Sequence, residues 1–161
     1  MPFPKEGEKA PAFNAKDETG KTHKLSDYKG RPAVLYFYPT DDTPGCTKEA
    51  CSFRDHMGPL AKLGATVLGV SRQDAVSHQK FKAKYNLNFP LLIDDGSLSE
   101  AYGTWVEKNM YGRKYMGMQR STFLIGPDGT LAKVWEKVKP EGHGEEVQEA
   151  LKALSAATKA R

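Results

Sequence analysis

Ala33-Val-Leu-Tyr-Phe-Tyr38, followed by Pro39-Thr-Asp-Asp-Thr-Pro-Gly-Cys46, is the stretch on which the fold turns. Its first six residues form an unbroken apolar and aromatic run that stops at a proline. Such a run reads as a central strand buried on both faces. Thr43 is a good N-cap residue, and Pro44 suits the first helical position. From there, apolar side chains at Cys46, Ala50, Phe53, Met57 and Leu60 keep helical spacing, with a break or kink expected near Gly58-Pro59.

Working outward, residues 1–10 read as an extended lead-in. Pro11–Ala15 and Lys21–Lys24 flank Asp17-Glu-Thr-Gly20, a hairpin signal. Ala65–Ser71 is a second buried strand, and Asp74 caps a helix expected to reach about Tyr85. A short strand at Phe89–Ile93 and a short helix at Ser97–Tyr102 follow. Trp105–Gln119 reads as a loop carrying Gly, Lys and Met. Thr122–Ile125 and Leu131–Lys137 are strands joined by Gly126-Pro-Asp-Gly129, a strong turn. Gly144–Ala157 is a final amphipathic helix with Val147, Leu151 and Leu154 on one face. Alternation first and a hairpin last predict an α/β fold: a mixed central sheet with helices on both faces and an N-terminal β-hairpin. That order matches a thioredoxin-like sandwich.

The 161 residues suit one domain, taken as 1–161, and a 39% hydrophobic content can fill a core. No apolar run is long enough for a membrane span, and no signal-peptide pattern opens the chain, so the expectation is cytoplasmic. Net charge is +4, but 20 acidic residues lie among 24 basic ones and no basic block stands out. A solvated mixed surface is the reading, not a nucleic-acid site. The tail Lys152–Arg161 reads as a fraying helix end. His23, His56, His78 and His143 are scattered without metal-ligand spacing and are expected on the surface. No Gly-rich phosphate loop is present, so neither metal nor other cofactor is expected. Trp105, Met110, Tyr111, Met116 and Met118 either line a pocket wall or simply pack.

The chemistry points to the two cysteines, Cys46 and Cys51. Counting from Thr43, Cys46 is the third helical residue. Free backbone N–H groups and the positive end of the helix dipole favour an anion there, and the thiolate is the nucleophilic form. Its place in the apolar stripe points the side chain inward, near the end of the Ala33–Tyr38 strand, where open α/β sheets bind ligands. A thiolate nucleophile also needs donors aimed at the atom on which charge develops. Thr43 is near enough to supply a hydroxyl, or it caps the helix, or both. Gly45 leaves room for a small substrate.

Tyr36-Phe-Tyr-Pro-Thr-Asp-Asp-Thr-Pro-Gly-Cys-Thr-Lys-Glu-Ala-Cys51 resembles the active-site block of peroxiredoxins, with Pro39, Thr43 and Cys46 in their Pro-x-x-x-Thr-x-x-Cys signature. It is similar to the bacterioferritin comigratory protein, or Q-type, subgroup. The resemblance extends to Gly7–Phe13, Leu25–Gly30, Phe89–Asp94, Met110–Gly112 and Arg120–Ile125. It implies a thiol-dependent peroxidase for hydrogen peroxide and organic hydroperoxides, serving antioxidant defence. Cys46 would be the peroxidatic cysteine passing through sulfenic acid. Thr43 would bond the peroxide, Pro39 would shield the site, and Arg120 would stabilise the thiolate and polarise the peroxide. Cys51 would be the resolving cysteine, and thioredoxin or glutaredoxin the reductant. Two departures stand out. Thr40 sits where a lysine is common, and Ser71-Arg-Gln-Asp74 differs from a usual Ser-x-Asp-Ser.

In an intact helix, residues 46 and 51 are turned by roughly 140° and rise about 7.5 Å apart. Their Cα atoms then lie on the order of 8.5 Å apart, beyond the roughly 7 Å reach of a disulfide. A bridge therefore requires residues 43–52 to unwind in part, unless an outside thiol resolves Cys46. Resolution inside one helix makes a monomer sufficient. The competing readings are a thiol–disulfide oxidoreductase, which normally carries Cys-x-x-Cys, and a basic binding or holdase module indifferent to Cys46.

Overall fold

A computed structural model describes residues 3–159. Residues 1–2 of the lead-in and 160–161 of the basic tail lie outside the described residues. The run at 33–38 is strand β3 (Ala33–Phe37), following the N-terminal hairpin β1 (Asn14–Lys16) and β2 (Thr22–Lys24). After β3 come α1 (Pro44–Lys62), β4 (Thr66–Ser71), α2 (Ala75–Tyr85), β5 (Leu91–Ile93) and α3 (Ser97–Ala101). The chain ends with β6 (Trp105–Met110), β7 (Arg113–Met118), β8 (Ser121–Ile125), β9 (Leu131–Trp135) and α4 (His143–Lys159).

Five strands form the central sheet in the order β5-β4-β3-β8-β9. β3 runs parallel to β4 and antiparallel to β8, so the sheet is mixed and β3 lies at its centre. All five β3 residues are buried, as a strand covered on both faces must be. Its side chains divide by alternation. Val34 and Tyr36 join Cys46, Ala50 and Phe53 of α1, Phe81 of α2, and Val147 and Leu151 of α4. Ala33, Leu35 and Phe37 join Leu98 of α3, Tyr102, Phe123 and the N-terminal residues Ala10 and Phe13. Helices thus cover both faces, as the thioredoxin-like order requires.

Two expectations need correction. Helix α1 does not break at Gly58-Pro59. Pro59 sits in its last turn, where a missing N–H costs one bond and the helix runs on to Lys62. Residues 105–119 are not a loop but the antiparallel hairpin β6–β7, with Trp105 opposite Met118 and Met110 opposite Arg113. Its two-residue turn, Tyr111-Gly112, has positive φ at both positions (53° and 80°), as a type I′ hairpin turn needs. Most of the hairpin is solvent-facing, so its sequence shows no alternation of apolar and polar residues.

Helix α4 packs along α1 with unusual closeness at one point. A Cβ on Gly144 would lie 2.5 Å from the carbonyl oxygen of Ser52. The Gly144 N–H also donates to Ser52 Oγ at 2.9 Å. Glycine is required here by close approach, not by backbone conformation. Gly144→Ala should therefore lower unfolding free energy by about 1–3 kcal/mol through overpacking, because the gain in helix propensity, at most about 1 kcal/mol, does not offset the clash. A urea denaturation midpoint measures this, and an unchanged midpoint would contradict the packing described.

Candidate active site

The site forms where β3 ends, α1 begins and β8 starts. Thr43 holds the N-cap position in extended conformation, and Pro44 is the first helical residue, as the sequence predicts. The Thr43 hydroxyl does not cap the helix, however. It donates to the Thr40 carbonyl at 3.1 Å. The first backbone bond of the helix runs from Thr47 N–H to the Thr43 carbonyl (2.8 Å), which leaves the amides of Gly45 and Cys46 in the uncapped first turn. Cys46 is 1% exposed and faces the core.

Arg120 directly precedes β8. The antiparallel register sets Phe37 opposite Ser121, so the residue before β8 lands beside the loop that leaves β3. Arg120 Nη2 donates to Cys46 Sγ at 3.3 Å, and Nη1 donates to Glu49 Oε1 at 2.8 Å. These contacts join residues 74 and 71 positions apart in the chain. Burial opposes the charge on Arg120. Glu49 and Cys46 outweigh it and hold the guanidinium above its ordinary value.

Glu49 is a functional neighbour that the sequence reading passed over. One turn after Cys46, it is fully buried, and its second oxygen, Oε2, has no hydrogen-bond partner. Burial pushes its carboxyl up to about 7, against the pull of Arg120. The hydroxyl of Tyr36 is also buried without a partner. Burial, then Glu49 and Cys46, hold its ionisation far above the ordinary range. A Glu at position 49 could have been flagged in sequence as a charge on the apolar stripe, one turn beyond the cysteine.

A cavity of about 460 Å³ opens beside this turn, lined by Pro44, Gly45, Lys48, Lys139, Pro140 and Glu141. A Cβ on Gly45 would stand 3.1 Å from Arg120 Nη2. The lack of a side chain therefore lets the guanidinium reach the sulfur. Pro39 is half-buried, in the loop before Thr43. Cys51 is half-buried, and both cysteines are free thiols in one unbroken helix. Tyr111, by contrast, is fully exposed at the hairpin tip, and Met118 is buried in the core on the opposite face. Neither packs around Cys46.

The expectation of surface histidines fails for His23, His78 and His143, which are all buried. Each is paired, as burial demands. His23 bonds Asp17 and Tyr28, His78 bonds Asp41 and the Leu92 carbonyl, and His143 bonds Thr122.

A family model described as AhpC/TSA matches residues 7–134. The chain belongs to the AhpC/TSA family. It is a peroxiredoxin of the Bcp and Q group, and thus a thiol-dependent peroxidase. A protein of Coxiella burnetii described as putative peroxiredoxin bcp is 52% identical over 142 residues, 88% of this chain and 94% of its own length. Peroxiredoxin Bcp of Bacillus subtilis is 51% identical over 150 residues, 92% of this chain and 96% of its own. Among solved structures, the Xanthomonas campestris bacterioferritin comigratory protein superposes with a TM-score of 0.88 at 40% identity, covering 94% of this chain and 99% of that one.

The raised Glu49 carboxyl gives the fold of this peroxiredoxin a pH signature. A carboxyl raised on folding contributes stability below its unfolded value of 4.5, and that stability is lost as pH rises through about 7. The loss amounts to roughly 3 kcal/mol at 1.36 kcal/mol per unit. Glu49→Gln should flatten this part of the stability profile between pH 5 and 8. Urea midpoints for both proteins across that range test it, and parallel profiles would exclude the assignment.

Proposed function

We propose that Cys46 is the peroxidatic cysteine, with Arg120, Thr43 and Pro39 completing the site and Cys51 resolving it. The observation that carries this reading is the 3.3 Å contact between Arg120 Nη2 and a buried sulfur in the first turn of a helix. A guanidinium stands against the sulfur, and the sulfur lies in a helical turn whose amides have no side-chain cap. The same donors face the place where charge develops during peroxide cleavage.

The thiolate of Cys46 attacks one peroxide oxygen. A sulfur–oxygen bond forms and the oxygen–oxygen bond breaks. The departing oxygen carries the electron pair, takes a proton and leaves as water or an alcohol. Cys46 is then a sulfenic acid. Thr43 orients the peroxide, Arg120 polarises it, and Pro39 keeps bulk water from the sulfur. The Cys51 thiol next attacks the Cys46 sulfur, forming the disulfide and releasing water. The unbroken helix supports the need for local unwinding of 43–52 in this step. A thioredoxin-type dithiol takes the disulfide back to two thiols, with thioredoxin or glutaredoxin as the donor. Hydrogen peroxide and organic hydroperoxides are the substrates. The Xanthomonas relative, described for alkyl peroxide reduction, supports the second class. The reading is completed by one domain over 1–161, a monomer, and a cytoplasmic location.

Peroxide consumption coupled to thioredoxin and its reductase tests this assignment. Cys46→Ser should abolish turnover, and activity that survives it would overturn the reading. Arg120→Met should lower the rate of Cys46 oxidation on the order of 10²–10³-fold. Cys51→Ser should leave the first oxidation intact while mass spectrometry shows a persistent Cys46 sulfenic acid and no bridge.

A further inference from the structure

The loop that carries Pro39 and Thr43 has a second set of partners that the proposed chemistry does not use. Apart from Tyr38, at the end of the β3 run, they come from α2 and the turn before it. Gln73 Nε2 donates to the Pro39 carbonyl at 3.3 Å, and Gln73 Oε1 accepts the Asp41 N–H at 3.1 Å. The Asp41 carboxylate, 9% exposed as a residue, accepts from Tyr38 Oη (2.6 Å), Ser77 Oγ (2.7 Å) and His78 Nδ1 (2.6 Å). His78, fully buried, also bonds the Leu92 carbonyl of β5 through Nε2 at 2.9 Å. Asp42, at φ +56°, is the loop's left-handed residue, a conformation Asp tolerates better than most. Its carboxylate takes Lys84 Nζ at 2.8 Å and Tyr85 Oη at 2.6 Å.

The hydrogens in this network can be assigned. A backbone carbonyl only accepts, so Nε2 of His78 carries a hydrogen. Burial raises the Asp41 carboxyl, but the bonds from His78 and Tyr38 outweigh it and hold it below its ordinary value. On the other side of the ring, Nδ1 stands 2.6 Å from Asp41 Oδ2. One ring ties the loop on one side to the sheet edge on the other. Gln73 is equally bifunctional. An amide both accepts the Asp41 N–H and donates to the Pro39 carbonyl, whereas a carboxylate at 73 could do only the first. This is one of the positions where the sequence departs from the Ser-x-Asp-Ser pattern. Ser71 Oγ orients the amide by donating to Gln73 Oε1 at 2.5 Å.

We propose that the start of α2 clamps the peroxide-binding loop, with Gln73 and His78 as positioning residues for the oxidation of Cys46. Neither touches the sulfur. They fix Pro39 directly, and Asp41 two residues before Thr43, so the loop enters α1 in one geometry. The same clamp opposes the unwinding of 43–52 that resolution requires. The two half-reactions should therefore respond in opposite directions when it is cut. The proposal rests on Cys46 being the peroxidatic residue.

Rapid-mixing experiments separate the steps. Oxidation of Cys46 is followed in a Cys51→Ser background, and disulfide formation by quenched mass spectrometry with both cysteines present. His78→Leu and Gln73→Glu should each slow oxidation by roughly ten- to a hundredfold and speed disulfide formation. His78→Asn keeps a donor at the Nδ1 position and should restore most of the oxidation rate. Leu98→Ala, in the core on the opposite face, serves as a control for general loosening and should not reproduce the split. Folded variants that oxidise at the wild-type rate, or that slow both steps alike, would overturn the clamp. If His78→Leu does not fold, the half-buried Gln73→Glu decides alone. A parent protein that forms no sulfenic acid at Cys46 would instead sink the underlying assignment.

Discussion

Everything at the site depends on the pairing of β3 with β8. These strands are far apart in the chain, and their antiparallel register sets Phe37 against Ser121. That register delivers Arg120 to the helix that β3 feeds. A shift of one residue would turn the β8 side chains to the opposite face and carry the guanidinium away from the sulfur. The aromatic core protects the register. Tyr36 stacks on Phe53 with ring centroids 4.6 Å apart, and Phe37 meets Phe123 edge-on at 5.6 Å. The hydrophobic packing of the sheet thus also aligns the charges.

Around Cys46 the protein keeps several polar groups in a place that disfavours them. Glu49 is buried with one oxygen unmatched, and the Tyr36 hydroxyl has no partner. Buried polar atoms without partners cost stability, and such costs gather where a site needs a particular field. Glu49 holds one arm of the guanidinium, leaving the other for the sulfur. On the loop side the pattern reverses, and Asp41 and His78 are fully engaged. One side of the site is held electrostatically and the other by a complete hydrogen-bond network.

Much of this was legible in the sequence. The apolar run 33–38, the cap at Thr43 and Pro44, and the stripe from Cys46 to Phe53 specify a strand, a turn and an inward-facing helix. Local rules suffice for each. The β6–β7 hairpin was not legible, because strands that are mostly solvent-facing lack alternation and Tyr-Gly is an uncommon turn pair. The buried histidines were missed for a different reason. His78 is buried because Asp41, 37 residues earlier, and the Leu92 carbonyl satisfy it. Pairing of that kind is a property of the assembled fold. Arg120 was legible through family resemblance alone, since no local pattern distinguishes it among 24 basic residues.

The close seat of α4 on α1 at Ser52 divides one continuous helix into two mechanical parts. Behind it, Phe53 and Leu60 are fully buried. Ahead of it, only Cys46, Glu49 and Ala50 are buried, and none is a large hydrophobe. The front two turns therefore have little apolar surface to lose in the unwinding proposed for resolution. Selection can then strengthen the rear of the helix, and with it the lifetime of the protein in the cell, without making the front harder to open. Durability and the proposed opening then rest on different residues of a single helix.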